Sequence, residues 1–320
     1  MNFVDFCSGI GGGRLGLELN GFECLGFSEI DKEAIKTYKA FFDTHKEIEF
    51  GDLTKINPHN LPHFDLIISG FPCQTFSIVG KRAGLDDNKG QIIFHLAKIL
   101  KAKQPKFFIF ENVKGLINHD KGQTFKTILK LLENCNYKVY SQVLNSKDFH
   151  LPQSRERIYF VGFRKDLKSN GDFFTPLSHS KKANLKDFLT PLNENQFDKN
   201  NPTFMKYLNN KYNLGRINLK QILSRDFLVI DTRQSDLRIY ENQIPTLRRD
   251  RQGLLYTFNN QMYKISALEA LRLQGFNALK NIEEKIHHLK SSDILRQCGN
   301  AMSVNVIKAI GSRLLEVANG

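Results

Sequence analysis

The residue best suited to chemistry in this sequence is Cys73, in the run Leu66-Ile67-Ile68-Ser69-Gly70-Phe71-Pro72-Cys73-Gln74. The apolar part reads as a buried strand, and Gly70 and Pro72 hold the loop that follows it. With a reference pKa of ~8.5, a thiol is only a few per cent ionised at neutral pH, yet it is intrinsically very nucleophilic. The competing reading is a buried core cysteine, the usual fate of this residue. Polar Gln74, Thr75 and Ser77 around it favour the reactive one. Two further segments carry the charges that such a nucleophile needs. Phe107-Phe108-Ile109-Phe110-Glu111-Asn112-Val113 is an apolar strand ending in a carboxylate. Gln153-Ser154-Arg155-Glu156-Arg157 opens a further strand at 158–163, and in extended chain Arg155 and Arg157 point to one face. Singly, each charge could be an ordinary strand-end residue.

A second set of residues suits a ligand. Gly9-Ile10-Gly11-Gly12-Gly13 follows the first apolar run and leads into helical sequence, where glycines permit a tight turn and close approach of a ligand to a helix start. Glu29 stands about 20 residues after Gly9, at the end of the next strand, where a carboxylate accepts from ribose hydroxyls. Asp52 and Leu53, after a third strand at 48–50, put another acceptor near an adenine amine. These residues by themselves indicate an adenosine-containing cofactor: NAD and S-adenosylmethionine both fit, as does a plain tight turn.

Both sets need a scaffold. Short apolar runs at 3–6, 24–27, 66–68, 107–110 and 158–163 look like buried parallel strands. Between them, Asp31 precedes Ala34, Ile35, Tyr38, Phe41 and Phe42 on one helical face; Ile92, Ile93, Leu96, Ile99 and Leu100 repeat the pattern, as do Phe125, Ile128, Leu129 and Leu132. Such alternation predicts a doubly wound α/β sheet that binds ligands at the carboxyl ends of its strands. Beyond residue 166 the texture changes. Residues 169–220 are rich in Asn, Lys and Pro, β-like pieces follow at 227–230 and 254–258, and helical pattern returns at 267–273 and 304–317.

Bulk properties narrow the class. The 320 residues, 41% hydrophobic and 25% charged, can bury a large core and a smaller second one. Five scattered cysteines without a C-x-x-C pair argue against a disulfide framework and a thiolate zinc site. Pro62 interrupts the His59/His63 spacing, and no metal is expected. No apolar run is long enough to span a bilayer and the start lacks a secretory pattern, so a cytoplasmic protein is expected. The net charge of +13 favours a polyanionic partner over a merely solvated basic surface.

In this order and spacing, Phe71-Pro72-Cys73-Gln74, Glu111-Asn112-Val113 and Gln153-x-Arg155-x-Arg157 resemble the core motifs of the DNA (cytosine-5)-methyltransferases, above all the short bacterial type II modification enzymes. Residues 5–12 are similar to the family's cofactor loop. Glu269-Ala270-x-Arg272-Leu273-Gln274-Gly275-Phe276 and Gln297-x-Gly299-Asn300 are similar to its last two motifs. The resemblance covers about 1–165 and 263–318. It implies a Rossmann-like S-adenosylmethionine-dependent methyltransferase sheet with a second, smaller, mainly β target-recognition domain. The expected division is 1–189 plus 295–320 for catalysis and cofactor, 190–262 for target recognition and 263–294 as a hinge.

The resemblance also implies roles. Cys73 adds to C6 of a flipped-out cytosine; protonated Glu111, which needs a raised pKa, holds N3 and the exocyclic amine; Arg157 holds O2, and Arg155 orders the pocket. S-adenosyl-L-methionine, leaving as S-adenosyl-L-homocysteine, would lie on Phe6, Cys7, Gly9, Gly11, Gly12, Glu29, Ile30, Asp52, Leu53, Pro72 and Asn300. Cys7 and Ile30 stand where the family favours an aromatic residue, and Cys7 is read as a packing residue. Duplex DNA would meet Gln74 and Ser77 beside the nucleophile. In the stretch Ile244-Pro245-Thr246-Leu247-Arg248-Arg249-Asp250-Arg251-Gln252-Gly253, it would meet Arg248, Arg249, Arg251 and Gln252. A second reading loop would hold Arg233, Gln234 and Arg238, although any of these arginines could touch only phosphate. A monomer acting at the bacterial nucleoid is expected, with a restriction endonuclease as a functional counterpart. The alternatives are a tRNA cytosine methyltransferase with the same motifs, a non-catalytic DNA-binding relative, and a dehydrogenase using the glycine loop for NAD.

Overall fold

Continuous apolar runs become the centre of a seven-stranded sheet. The computed structural model describes residues 1–72, 92–167, 172–175, 177 and 182–319. They form two compact units: Met1–Asn145 with Glu156–Ser178 and Ala301–Gly320, and Ser146–Arg155 with His179–Asn300. Residues 146–155, 179–189 and 295–300, expected in the catalytic domain, thus belong to the second unit, as does the expected hinge at 263–294.

The first unit holds β1 (Asn2–Phe6), β2 (Glu23–Ser28), β3 (Ile48–Glu49), β4 (Leu66–Gly70), β5 (Phe107–Val113), β6 (Tyr137–Asn145) and β8 (Glu156–Arg164); the two-residue β7 (Gln153–Ser154) belongs to the second unit. The order is β3-β2-β1-β4-β5-β8-β6. Strands β1 to β5 are mutually parallel, and the strand order reverses beside β1, the place where such sheets bind ligands. The expectation that 158–163 is also a parallel strand is corrected: β8 runs antiparallel to both β5 and β6. Asn145 pairs with Glu156, and the connection 146–155 is too short for a parallel crossover, which takes a dozen residues or more.

Helices α1 (Gly12–Glu18), α2 (Lys32–Phe41), α3 (Ile92–Lys103), α4 (Gln123–Glu133) and, at the end of the chain, α10 (Val304–Asn319) complete this unit. Asp31 caps α2 by accepting from the amides of Glu33 and Ala34, and Tyr38 on its inner face stacks on Phe27 with centroids 4.3 Å apart. Val4, Phe6, Ile67, Phe108, Phe110 and Phe160 meet Leu96, Leu100 and Leu132 in one core.

In the second unit, β11 (Arg238–Glu241), β10 (Leu228–Asp231), β13 (Leu254–Phe258), β14 (Gln261–Lys264) and β9 (Gln196–Phe197) lie side by side in that order, all antiparallel. The strand β12 (Ile244–Pro245) pairs with β7. The unit also carries α5 (Pro202–Leu208), α6 (Leu219–Leu223), α7 (Ala267–Leu273), α8 (Ile282–Ile286) and α9 (Ser291–Asn300), of which α7 to α9 lie outside the 190–262 expected for target recognition. Phe204, Leu223, Ile230, Leu255 and Met262 form its core. The fully buried Glu269 accepts from the Tyr256 hydroxyl at 2.8 Å and from the amides of Thr190 and Ser266 at 2.7 Å each, which fixes residues 190 and 266 to α7.

Candidate active site

The carboxyl ends of β1 and β2 carry the candidate cofactor residues. Gly9 lies at φ +55°, a left-handed conformation, with open space where a side chain would be, and its amide donates to Glu29 Oε2 at 2.8 Å. The other Glu29 oxygen accepts from the amides of Ile30 and Asp31 at 2.7 and 2.9 Å. Three main-chain donors therefore hold this carboxylate still, with acceptor capacity left for hydroxyl groups. Ile30 beside it is 73% exposed, a large apolar surface left open among the described residues.

Other residues of the set serve the protein itself. A Cβ on Gly11 would come within 2.3 Å of the Phe42 ring and one on Gly12 within 2.3 Å of the Met302 carbonyl, so both glycines are required by packing alone. Phe6 and Leu53 are buried core side chains and can offer a ligand only their main chain. Burial, reinforced by the negative Glu29, pushes the Cys7 thiol up to about 12 and keeps it uncharged. Asp52 caps the turn Leu53–Lys55, accepting from the Thr54 hydroxyl at 2.7 Å and the Thr54 amide at 2.9 Å; these bonds hold its carboxyl below the usual range.

The ends of β4 and β5 carry the second set. Gly70 pairs with Glu111 across these strands, and Phe71 and exposed Pro72 lead on from Gly70. Cys73, Gln74 and Ser77 lie outside the described residues. Glu111 is diagonal to Arg157 across β5 and β8, and Arg157 Nε lies 3.1 Å from Glu111 Oε1. Both side chains are nearly buried. Alternation along β5 sends Asn112 the other way. Its amide donates to the Phe71 carbonyl at 2.9 Å, fixing the main chain two residues before Cys73, and its oxygen accepts from the Val113 amide at 2.8 Å. The sequence reading gave Asn112 no role, although its place directly after Glu111 in a period-two strand is the signal that it faces the opposite side.

A family model described as C-5 cytosine-specific DNA methylase matches residues 1–316. The chain belongs to that family. Type II methyltransferase M1.ScrFI from Lactococcus lactis subsp. cremoris is 37% identical, over 98% of this chain and 78% of the relative. Type II methyltransferase M.HaeII from Haemophilus aegyptius is 35% identical, over 99% of this chain and 93% of the relative. Among solved structures, the S. pombe Dnmt2 methyltransferase superposes with a TM-score of 0.72 at 17% identity, over 100% of this chain and 99% of the other, a likeness of fold. The protein is thus a C-5 cytosine DNA methyltransferase on a Rossmann-like sheet.

In the second unit of this methylase, the remaining motif residues form a buried frame. Gln153, fully buried, donates to the Leu273 carbonyl at 3.0 Å and accepts from the Leu247 amide at 2.9 Å. Arg155, 2% exposed, donates to the carbonyls of Leu247 at 3.3 Å and Gly299 at 3.1 Å. Arg155 thus braces the second unit, while Arg157 lies in the first beside Glu111. Asn300 ends α9, also in the second unit. Gly299 is needed because a Cβ there would sit 2.2 Å from the Arg249 amide nitrogen.

That frame presents Arg248, Arg249, Arg251 and Gln252, all exposed. Gln252 donates back to the Arg248 carbonyl at 3.1 Å, and Arg249 Nε is 3.6 Å from Asp250. Arg233 does not join them, a correction to its expected DNA-reading role. Its guanidinium is tied to both oxygens of Asp231 at 2.7–2.8 Å and to the Thr246 carbonyl at 2.7 Å, and its side chain is only 4% exposed. Its charge is already spent. Among the described residues no group of His, Cys, Asp or Glu could hold a metal, and no helix is long and apolar enough to cross a membrane.

Proposed function

We propose that this methylase transfers the methyl group of S-adenosyl-L-methionine to C5 of a cytosine flipped out of duplex DNA, through a transient bond between Cys73 and C6. The reading rests on one observation above all. Glu111 and Arg157 are held against each other at the edge where the Gly70-Phe71-Pro72 segment leaves β4, and Asn112 anchors that segment.

The cofactor would be held by Glu29 on its ribose, Gly9 main chain and Asp52 near the adenine amine, with the uncovered Ile30 side chain against the adenine ring. Open space at Gly9 and the exposed apolar surface of Ile30 fit such a ligand. Bound there, it supplies an electrophilic methyl group on a sulfonium sulfur. The target base cannot be reached inside a stacked duplex, so it must be extruded. The Cys73 thiolate adds to C6, placing the electron pair of the C5–C6 double bond at C5. Glu111 hydrogen-bonds N3 and the exocyclic amine, and Arg157 stabilises negative charge at O2. After methylation a base removes the C5 proton, the double bond re-forms and Cys73 leaves as thiolate. Arg248, Arg249, Arg251 and Gln252 read the flanking sequence, and the chain acts as the modification half of a restriction–modification system.

The test uses duplex DNA carrying 5-fluorocytosine at the target. The fluorine blocks loss from C5, so a DNA adduct that survives denaturation is expected with the native protein and not with Cys73→Ser. Methyl transfer without any trapped adduct would sink the covalent route. Transfer to bulk tRNA in preference to duplex DNA would move the substrate.

A further inference from the structure

The exposed apolar side chains of this protein include two that stand two residues apart. In the second unit, Tyr212 is 54% and Leu214 70% exposed, on the loop between α5 and α6. Single exposed apolar groups are ordinary on a protein surface, so a pair counts towards an interaction surface only where the chain is built to hold it there. Here it is. The intervening Asn213 is fully buried: its amide donates to the carbonyls of Tyr207 at 2.8 Å and Ser235 at 2.7 Å, and its oxygen accepts from Arg216 Nη2 at 2.6 Å and the Leu237 amide at 3.2 Å. Asn210 adds a bond to the Ser235 carbonyl at 2.8 Å, and Arg216 pairs with Asp236 at 2.6 Å. One inward asparagine thus forces its neighbours outward on a loop already ordered, so little ordering entropy remains to be lost on binding.

The position of the loop indicates its partner. The turn 232–237 that receives Asn210 and Asn213 is bonded on its other side to the arginine-bearing segment: the Thr232 amide donates to the Gly253 carbonyl at 2.8 Å and Arg233 to the Thr246 carbonyl at 2.7 Å. All three stretches therefore follow one another along the end of the sheet where β10 stops and β11 and β13 begin. The exposed cations along that end are Lys211, Arg238, Arg248, Arg249 and Arg251; Asp250 is exposed beside them, and Asp236 is neutralised by Arg216. Lys211 Nζ lies over the Tyr212 ring, 5.2 Å from its centroid.

We propose that the 210–216 loop is a second DNA-contacting element of this enzyme, in which Leu214 and Tyr212 pack against bases flanking the methylated sequence while Lys211 meets the phosphate backbone. This rests on the reading of the protein as a duplex-DNA methylase. Apolar side chains act on DNA by packing on thymine methyl groups or wedging between base steps, which is a contact of a different kind from the arginines'.

The two kinds of contact separate in salt. Phosphate contacts release counterions, whereas apolar ones do not. Binding of the full chain to a duplex oligonucleotide containing its methylated sequence should be measured by fluorescence anisotropy at several salt concentrations. Leu214→Ala and Tyr212→Ala should each weaken binding about tenfold, with the salt slope unchanged. Lys211→Ala should lower the slope by about 0.9. Unchanged thermal midpoints are expected, because both apolar side chains are exposed. Native affinity in both apolar variants would overturn the proposal, as would a native dimer that dissociates on Leu214→Ala, since a second copy would then own the surface. If the native chain neither binds nor methylates duplex DNA, the underlying reading fails first, and that outcome is distinct from the other two.

Discussion

Replacing Asn112 by Ala tests whether the β5 edge positions the loop that carries the nucleophile. Asn112 is 2% exposed and makes two hydrogen bonds, to the Phe71 carbonyl and from the Val113 amide. The substitution leaves the carbonyl of a buried residue without this donor, at a cost of about 1–3 kcal/mol. Loss of the Val113 bond adds about 1 kcal/mol. An unfolding free energy lower by about 2–4 kcal/mol is expected from urea titration. The kinetic effect should be distinct. Displacing a reacting group by ~1 Å costs roughly 100-fold, so kcat should fall about 10- to 100-fold. Affinity for S-adenosylhomocysteine, measured by calorimetry, should stay within about twofold, because the Gly9–Glu29 contact is held by other bonds. Trapping by 5-fluorocytosine should slow in proportion to kcat. Lower stability with an unchanged rate of adduct formation would refute the reasoning and leave Asn112 a packing residue.

Other perturbations discriminate in the same way. Gly299→Ala forces a Cβ onto the Arg248–Arg249 main chain; it should cost about 1–3 kcal/mol in unfolding and relax the methylated sequence, as read by bisulfite sequencing. Arg233→Ala leaves Asp231 partly buried without its cation, so its thermal midpoint should fall, whereas Arg249→Ala should keep its midpoint and change which sequence is methylated. Asp5→Asn tests the buried carboxyl on β1, whose pKa burial raises well above the usual range despite nearby Arg14. A raised folded pKa stabilises fully below the unfolded value of ~3.9, and that stabilisation is lost as pH rises towards the folded pKa. The variant should therefore be the more stable at pH 7, with the gap closing on acidification towards pH 4; a gap that widens there would contradict the raised pKa.

The strands β1, β4 and β5 were legible because they are covered on both faces and read as unbroken apolar runs. α2 was legible because its cap and its buried face are both local. β6 was not, since an edge strand that alternates between core and water carries a weak pattern. Nor does the sequence around 158–163 reveal strand direction, which follows from the length of the connection 146–155 and not from composition. Glu111 and Arg157 could be named from their motifs, but their 3.1 Å pairing depends on a register between two strands. Arg233 shows the opposite failure: sequence displays its charge and hides the fact that Asp231, two residues earlier, neutralises it.

The boundary between units was illegible for a related reason. Gln153 and Arg155 look like the opening of a strand that ends in Arg157, yet their partners Leu247, Leu273 and Gly299 stand 92 to 144 positions further along the chain. The consequence is functional. Within one run of five residues, Arg157 is committed to Glu111 in the first unit, while Gln153 and Arg155 brace the segment that displays Arg248 and Arg249 in the second. The two arginines of a short motif, alike on paper, therefore have different partners: Arg157 pairs with Glu111, and Arg155 donates to the carbonyls of Leu247 and Gly299. Losing Arg155 strips donors from two buried carbonyls next to the segment that carries Arg248 and Arg249, so Arg155→Ala should change the methylated sequence, as read by bisulfite sequencing, before it lowers the rate of methyl transfer.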